Sequence, residues 1–298
     1  MKRDLVSFAL WTSDEILEIL ELARNPGIPS ARPLHGKTAA LVFERESLRT
    51  RVSFEVGIAE LGGHPVFLQQ QTIGIATRES VHDVAVALSQ YCPLIVARTA
   101  KHQTCVQLAE SAAVPVINAM TDLLHPCQIL ADAFTLQGLG RLNSRTKIVF
   151  TGDGNNIANS LLELAEKLPL QLVISCPQGY EPHPGILDQA IGANVSSIKV
   201  IHDPKEAVHD ADVVYTDKWS QAEDPGERQR RLSIFRPYQV NKSLLRRARP
   251  GCVVMHRLPA NRGEEITGDV LDGKQCIALE QARNRLEVQK AVMTKLLR

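Results

Sequence analysis

The sequence predicts an α/β protein of two doubly wound parallel-sheet domains. Two observations predict it. Short, continuous apolar runs rich in Val and Ile alternate with longer stretches of helical period, the pattern of strands buried on both faces by helices. The pattern then restarts after a polar stretch with two glycines, 137–145. The length agrees, since 298 residues suit one large or two medium domains at about 100–200 residues each.

In the first half, 38–43, 65–68, 94–98 and 114–118 read as strands. Stretches of helical period follow at 50–61, 80–90, 103–112 and 125–139. In the second half the strands fall at 147–151, 171–175, 197–201, 213–216 and 252–256, with helices at 156–168, 185–191 and 205–211. The basic stretch 228–231 reads as the solvated face of a helix. Residues 279–298 form one long helical pattern with Leu286, Val288, Ala291, Val292 and Leu296 apolar. The expected boundary therefore lies at 136/137.

Composition removes several function classes. At 44% hydrophobic and 22% charged residues the chain buries real cores and is not a disordered tail. Thirty-four Lys and Arg against thirty-three Asp and Glu give a net charge of +1, which makes no electrostatic case for nucleic acid or a membrane surface. No apolar run approaches the ~20 residues of a membrane span. The start Met1-Lys2-Arg3-Asp4 meets an acid at once and lacks a signal peptide's apolar core, so a cytoplasmic location is expected. The six cysteines (92, 105, 127, 176, 252, 276) contain no CxxC pair. They read as reduced, mostly buried thiols, and a structural zinc site is not expected.

In doubly wound sheets ligands sit beyond the carboxyl ends of the strands, so the segments after each strand carry the chemistry. After the first comes Ser47-Leu48-Arg49-Thr50-Arg51. Hydroxyls and guanidinium groups opening a helix suit an anion, because free N–H groups at a helix start bind phosphate and these side chains add donors. The other reading is Ser47 as an N-cap with two solvated arginines. After the third strand comes Arg98-Thr99. After the fourth comes Leu124-His125-Pro126-Cys127-Gln128, with Pro126 suited to a first helical turn. Three donor-rich turns at strand ends of one domain would converge on a crevice.

The second domain opens with Thr151-Gly152-Asp153-Gly154-Asn155-Asn156. A dinucleotide fingerprint fails here, because the third glycine would fall at Ile157 and the strand ending at Cys176-Pro177 brings no acid for a ribose hydroxyl. The amides of Asn155 and Asn156 suit a zwitterionic small molecule better. Asp217 in Thr216-Asp217-Lys218-Trp219 would hold an amino group, or else cap a helix or join a surface ion pair.

These segments, in this order, resemble the transcarbamoylase family, its ornithine branch most closely. The resemblance covers essentially the whole chain, with anchors Ser47-x-Arg49-Thr50-Arg51, Arg98-Thr99, His125-Pro126-x-Gln128, Gly152-Asp153-Gly154-Asn155-Asn156, Thr216-Asp217-x-Trp219, His256-x-Leu258-Pro259-Ala260 and Arg262-Gly263-Glu264-Glu265. It implies a carbamoyl-phosphate domain, 1–136, completed by a last helix 283–298 that crosses back onto it, and an amino-acid domain, 137–282, the two joined by interdomain helices, with no metal or redox cofactor and a homotrimer with shared active sites. A loop near 71–80 would reach the neighbour's site. By family match Ser47, Leu48 (through its backbone), Arg49, Thr50, Gln71, Arg98, His125, Gln128, Leu258 and Arg285 would bind carbamoyl phosphate. Asn156, Asp217, Gln221 and Ala222 would bind the amine acceptor. Arg98, His125, Asp217 and Arg257 would be the catalytic set. The implied reaction is attack of a neutral amine on the carbamoyl carbon, with ornithine as the expected acceptor.

Two departures fall on the amine side. Arg257 stands where the family's HCLP motif has Cys, and Gln221-Ala222-Glu223 stands where it has Ser-Met-Gly. Arg257 would repel a cationic amine by about 4 kcal/mol at ~4 Å and an effective dielectric of ~20. Three outcomes fit: pairing with Asp217, Glu223 or Glu265, binding of a substrate carboxylate with a different acceptor, or an impaired site in a binding or regulatory relative.

Overall fold

The structure, a computed structural model, describes residues 2–25, 32–220 and 224–298. It divides into two compact units, Met1–Phe134 with Arg283–Arg298, and Thr135–Ala282. Each division falls inside a helix and not in the polar stretch 137–145. Helical periodicity is indifferent to where a unit ends, so composition carries no mark of the crossing.

The first unit contains α1 (Ser13–Arg24), β1 (Thr38–Phe43), α2 (Leu48–Glu60), β2 (His64–Gln69), α3 (Gln70–Ile73), α4 (Val81–Tyr91), β3 (Ile95–Arg98), α5 (His102–Ser111), β4 (Val116–Met120) and the start of α6 (Pro126–Gly138). Its four strands pair in the order β2-β1-β3-β4, all parallel. The second unit contains β5 (Lys147–Thr151), α7 (Asn156–Lys167), β6 (Gln171–Ser175), α8 (Pro184–Gly192), β7 (Ser197–Val200), α9 (Pro204–Val208), β8 (Val213–Thr216), α10 (Pro225–Phe235), α11 (Lys242–Leu245), β9 (Val253–His256), α12 (Gly268–Leu271) and the start of α13 (Ala278–Leu296). Its strand order is β7-β6-β5-β8-β9, again all parallel.

Strand order reverses between β1 and β3 in one sheet and between β5 and β8 in the other. Each reversal opens a crevice at the carboxyl ends. Central strands are buried almost throughout, whereas the edge strands β2 and β7 alternate between exposed and half-buried positions. That is why the central strands read as continuous apolar runs.

On one face of the first sheet Ala40, Val42, Ile95 and Ala97 meet Val81, Val84 and Ala85 of α4 and Cys105 and Leu108 of α5. On one face of the second, Val149, Val173, Val214 and Val254 meet Ala207, Val208, Leu244, Ile266 and Val270. The alternate residues Phe150 and Tyr215 point to the opposite face, with ring centroids 5.5 Å apart, edge to face. Each buried Val, Leu, Ile or Phe among them stabilises by about 1.5–3 kcal/mol, well above the ~0–1 kcal/mol of an exposed ion pair. The cores, not the surface charges, hold the units.

In the first unit α13 packs on α2 at Gly57, where an added Cβ would lie 3.2 Å from Met293 Cε. This approach delivers Arg285 to the start of α2. Among the described residues no helix is long and apolar enough to cross a membrane.

Candidate active site

The first crevice is built from three turns. Ser47 caps α2, its Oγ accepting the Thr50 N–H at 3.3 Å. The capping reading of Ser47 is correct, and it leaves the first amides of α2 at the crevice. Glu44 joins the β1 and β3 ends: its N–H donates to Arg98 O at 2.9 Å, and its carboxylate accepts the Ala100 N–H at 2.5 Å. Arg98, nearly buried, points its guanidinium at Glu46 O (3.4 Å) and Met120 Sδ (3.2 Å). The β3 arginine therefore lies beside the Ser47 turn. Arg285 Nη2 donates to Thr50 Oγ1 at 2.9 Å, both side chains being buried.

His125 opens α6, its carbonyl accepting the Gln128 N–H at 3.1 Å. His125 and Gln128 are both 1% exposed. Gln128 Nε2 donates to Asp132 Oδ1 at 2.9 Å. Its Oε1 is buried and has no hydrogen-bond partner among the described residues, so it stands as an acceptor in need of a donor. Burial pushes the neighbouring Cys127 thiol up to about 12, against the opposing positive charge of Arg285.

Arg49 is half-buried and Leu48 is exposed. The second arginine of the motif, Arg51, turns elsewhere: it lies 3.7 Å over the Phe67 ring and pairs with Glu55 at 2.9 Å. Gln71 lies exposed on α3 and is not among the groups these bonds join.

The second crevice centres on Asp217, just after β8 and 1% exposed. Asn155 caps α7 through its Oδ1 and donates Nδ2–H to Asp217 Oδ2 at 3.0 Å. Arg257 Nε donates to the same oxygen at 2.6 Å. Of the three outcomes open for Arg257, the structure gives the pair with Asp217. Asn156, 7% exposed, is the first residue of α7. Gly154 permits the turn: a Cβ there would lie 2.3 Å from the backbone of Glu181 and Pro182. Gln221, Ala222 and Glu223 lie outside the described residues.

The loop after β9 is held by a lock the sequence reading missed. Leu258 N–H donates to His256 Nδ1 at 2.9 Å, which leaves the proton on Nε2 for Glu265 Oε1 at 3.0 Å. His256 and Glu265 are fully buried, and Glu265 Oε1 also accepts the Asn261 N–H at 2.6 Å. Leu258 itself adopts a left-handed φ of 58°. The lock thus fixes Arg257 and Leu258 between two anchored neighbours. A His and a Glu nine positions apart inside one motif were the available signal.

The reading of 228–231 as a solvated helix face holds for Arg228, Gln229 and Arg230, which are exposed, and fails at Arg231. Arg231 is largely buried, bonds Asp153 and the Trp219 carbonyl (2.5 Å), and sits about 5 Å over the Tyr180 and Phe235 rings. Arg228 pairs with Glu264, which also accepts from Ser220 and Asn261. The reason is aromatic: Trp219 stacks on Phe235 at 5.4 Å and draws α10 onto the loop after β8. Burial raises the Asp153 carboxyl above its ordinary range, with Arg231 acting against the rise. Among the described residues no group of three or more His, Cys, Asp or Glu side chains could hold a metal.

Comparison with known proteins covers both units. Residues 3–138 match the aspartate/ornithine carbamoyltransferase carbamoyl-P binding domain, and residues 144–296 match the Asp/Orn binding domain of that family. The chain is 46% identical to an ornithine carbamoyltransferase of Chlorobaculum tepidum over 99% of its own length and 90% of the relative's. It is 43% identical to the anabolic ornithine carbamoyltransferase of Pyrococcus furiosus, over 98% and 95%. A solved ornithine carbamoyltransferase structure from Pyrococcus furiosus superposes with a TM-score of 0.92 at 42% identity, covering 98% of this chain and 96% of that one. The anabolic enzyme of Campylobacter jejuni gives 0.93 at 32% identity, covering 99% of each.

Proposed function

The chain belongs to the aspartate/ornithine carbamoyltransferase family, and from that membership we propose that it moves the carbamoyl group of carbamoyl phosphate to L-ornithine, giving L-citrulline and phosphate. The observation that carries the reading is the donor set of the first crevice beside one bare acceptor. Arg98, Arg285 and the α2 start supply cations and N–H groups, while Gln128 Oε1 lacks a donor. Carbamoyl phosphate has the matching parts, a phosphate for the donors and an amide N–H for Gln128.

In this reading Ser47, Leu48 N–H, Arg49 and Thr50 hold the phosphate at the helix start, with Arg285 adding charge. Leu258 lines the carbamoyl group, and Gln71 comes from a neighbouring copy. Asn156 and Asp217, with Gln221 and Ala222, hold the acceptor. A free alkylamine has a pKa near ~10.4, so the acceptor nitrogen loses a proton before or during attack. A nitrogen–carbon bond then forms, charge gathers on the carbamoyl oxygen, and the carbon–oxygen bond to phosphate breaks as the second nitrogen proton passes to the departing phosphate. Arg98, His125 and Thr50 donate to that oxygen, and loss of one such donor typically costs roughly 2.7–4 kcal/mol in barrier.

A homotrimer is proposed with it. The α2 face supports this, since Leu48, Val52 and Val56 are exposed apolar residues four apart, close in chain to exposed Val66 of β2. A cytoplasmic place in arginine biosynthesis is supported by six free cysteines and by the anabolic designation of the Pyrococcus furiosus relative. Incubation with carbamoyl phosphate and ornithine yields citrulline, and His125→Ala loses most of it. No citrulline above the His125→Ala background rejects the proposal.

A further inference from the structure

The Asp217 carboxylate has one oxygen committed and one bare. Oδ2 accepts Arg257 Nε–H at 2.6 Å and Asn155 Nδ2–H at 3.0 Å. Oδ1 is buried and has no hydrogen-bond partner among the described residues. A buried carboxylate oxygen without a donor is costly, and it suits one incoming N–H group. The charge that would draw in an ammonium ion, however, is already balanced. The Arg257 side chain is 13% exposed and Asp217 1%, so water does little to screen the guanidinium. An ammonium ion reaching Oδ1 meets an attractive carboxylate and a repulsive cation bonded to that same carboxylate.

We propose that Arg257 is the specificity-determining residue for the acceptor. Its pair with Asp217 offsets the negative charge that would hold an ammonium ion. This weakens the hold on amino acids with a free α-ammonium group relative to acceptors whose α-nitrogen is uncharged, such as Nα-acylated ornithines. The inference rests on the reading of Asp217 as the group that receives the acceptor's α-ammonium, while the side-chain amine reacts. A neutral side chain at 257 restores one negative charge at Asp217 and strengthens the hold on the free amino acid.

The test compares wild type with Arg257→Cys, Arg257→Met and Arg257→Lys. Each is assayed for acceptor turnover with ornithine and Nα-acetylornithine at saturating carbamoyl phosphate. Carbamoyl-phosphate affinity, measured by calorimetry, reports the fold. The Cys and Met variants lower the ornithine KM about tenfold and shift kcat/KM toward ornithine over the acetylated acceptor by at least as much. The Lys variant keeps the charge and stays within about twofold of wild type. A merely structural Arg257 behaves oppositely, because loss of a structural contact raises KM and lowers kcat. An ornithine KM unchanged or raised in the neutral variants, with citrulline still formed by wild type, overturns the inference and leaves the ornithine reading standing. If the neutral variants lose carbamoyl-phosphate binding, the Lys variant decides: a tenfold lower KM with its charge kept overturns the inference. No citrulline from any of the four proteins overturns the ornithine reading and this inference together.

Discussion

Thr50 and Arg285 stand 235 positions apart, yet Thr50 Oγ1 accepts the Arg285 Nη2 hydrogen bond at 2.9 Å inside the first unit. Exchange of Thr50 for Val keeps the volume and removes one acceptor of a buried charged donor, a loss of about 1.5–3 kcal/mol. Urea unfolding of Thr50→Val therefore has a lower midpoint at unchanged slope, and Thr50→Ser recovers most of it. A Val variant with the wild-type midpoint would show that Arg285 does not depend on this oxygen. Pairings of this kind mark what the sequence reading could reach. The motifs located Arg98, His125, Asp217 and Arg257 at strand ends, because a strand end is a local feature. They left three outcomes open for Arg257, because its partner lies 40 positions away and Glu223 and Glu265 carry the same charge. Arg231 departs for the same reason: it looks as solvated as Arg228, Gln229 and Arg230 until Tyr180 and Phe235 are brought under it.

At the scale of the element, the β5–α7 turn depends on the missing side chain of Gly154. Its N–H donates to Tyr180 O at 2.9 Å, and a Cβ would press on the backbone of Glu181 and Pro182 at 2.3 Å. Backbone yields less readily than a flexible side-chain tip, so Gly154→Ala costs about 3 kcal/mol or more. Gly138, at the end of α6, has nothing within 4 Å of its Cβ position. Gly138→Ala is therefore neutral or stabilising by about 0.4–1 kcal/mol. Denaturation of the two variants separates close approach from the general effect of removing a glycine, and equal midpoints would refute the contact argument. The strands were readable because burial on both faces makes central strands apolar throughout, and the observed bounds differ from the read ones by two residues or fewer. Helix α1 was not read, although Thr12 and Glu15 form a capping box at its start. It precedes the first strand, outside the alternation that guided the reading. The short helices α3, α11 and α12 span four residues each, too few for a period to show.

The whole molecule carries a pH dependence that no single site explains. All six cysteines lie above their ordinary range because burial disfavours the thiolate, with Cys127 and Cys176 pushed up to about 12 and Cys252 to about 11. Three lie in each unit. In the unfolded chain these thiols ionise near their ordinary pKa, so above it the folded state binds more protons than the unfolded one. Stability is then fully present below pH ~9 and falls as pH rises toward the folded values. Cys105 is fully buried in the first-unit core beside Ala97 and Leu108, and its thiol is raised well above the others' ordinary value by burial. Between pH ~9.5 and ~11 it contributes a slope of about 1.4 kcal/mol per pH unit. Cys105→Ala lowers stability at every pH through its cavity, but it also flattens this alkaline slope by that amount. The slope is thus the diagnostic quantity, because a cavity has no proton to lose. Denaturation series for both proteins across that range give the comparison. Parallel curves would mean that the Cys105 thiol ionises as readily in the folded chain as in the unfolded one, against its full burial in the first-unit core.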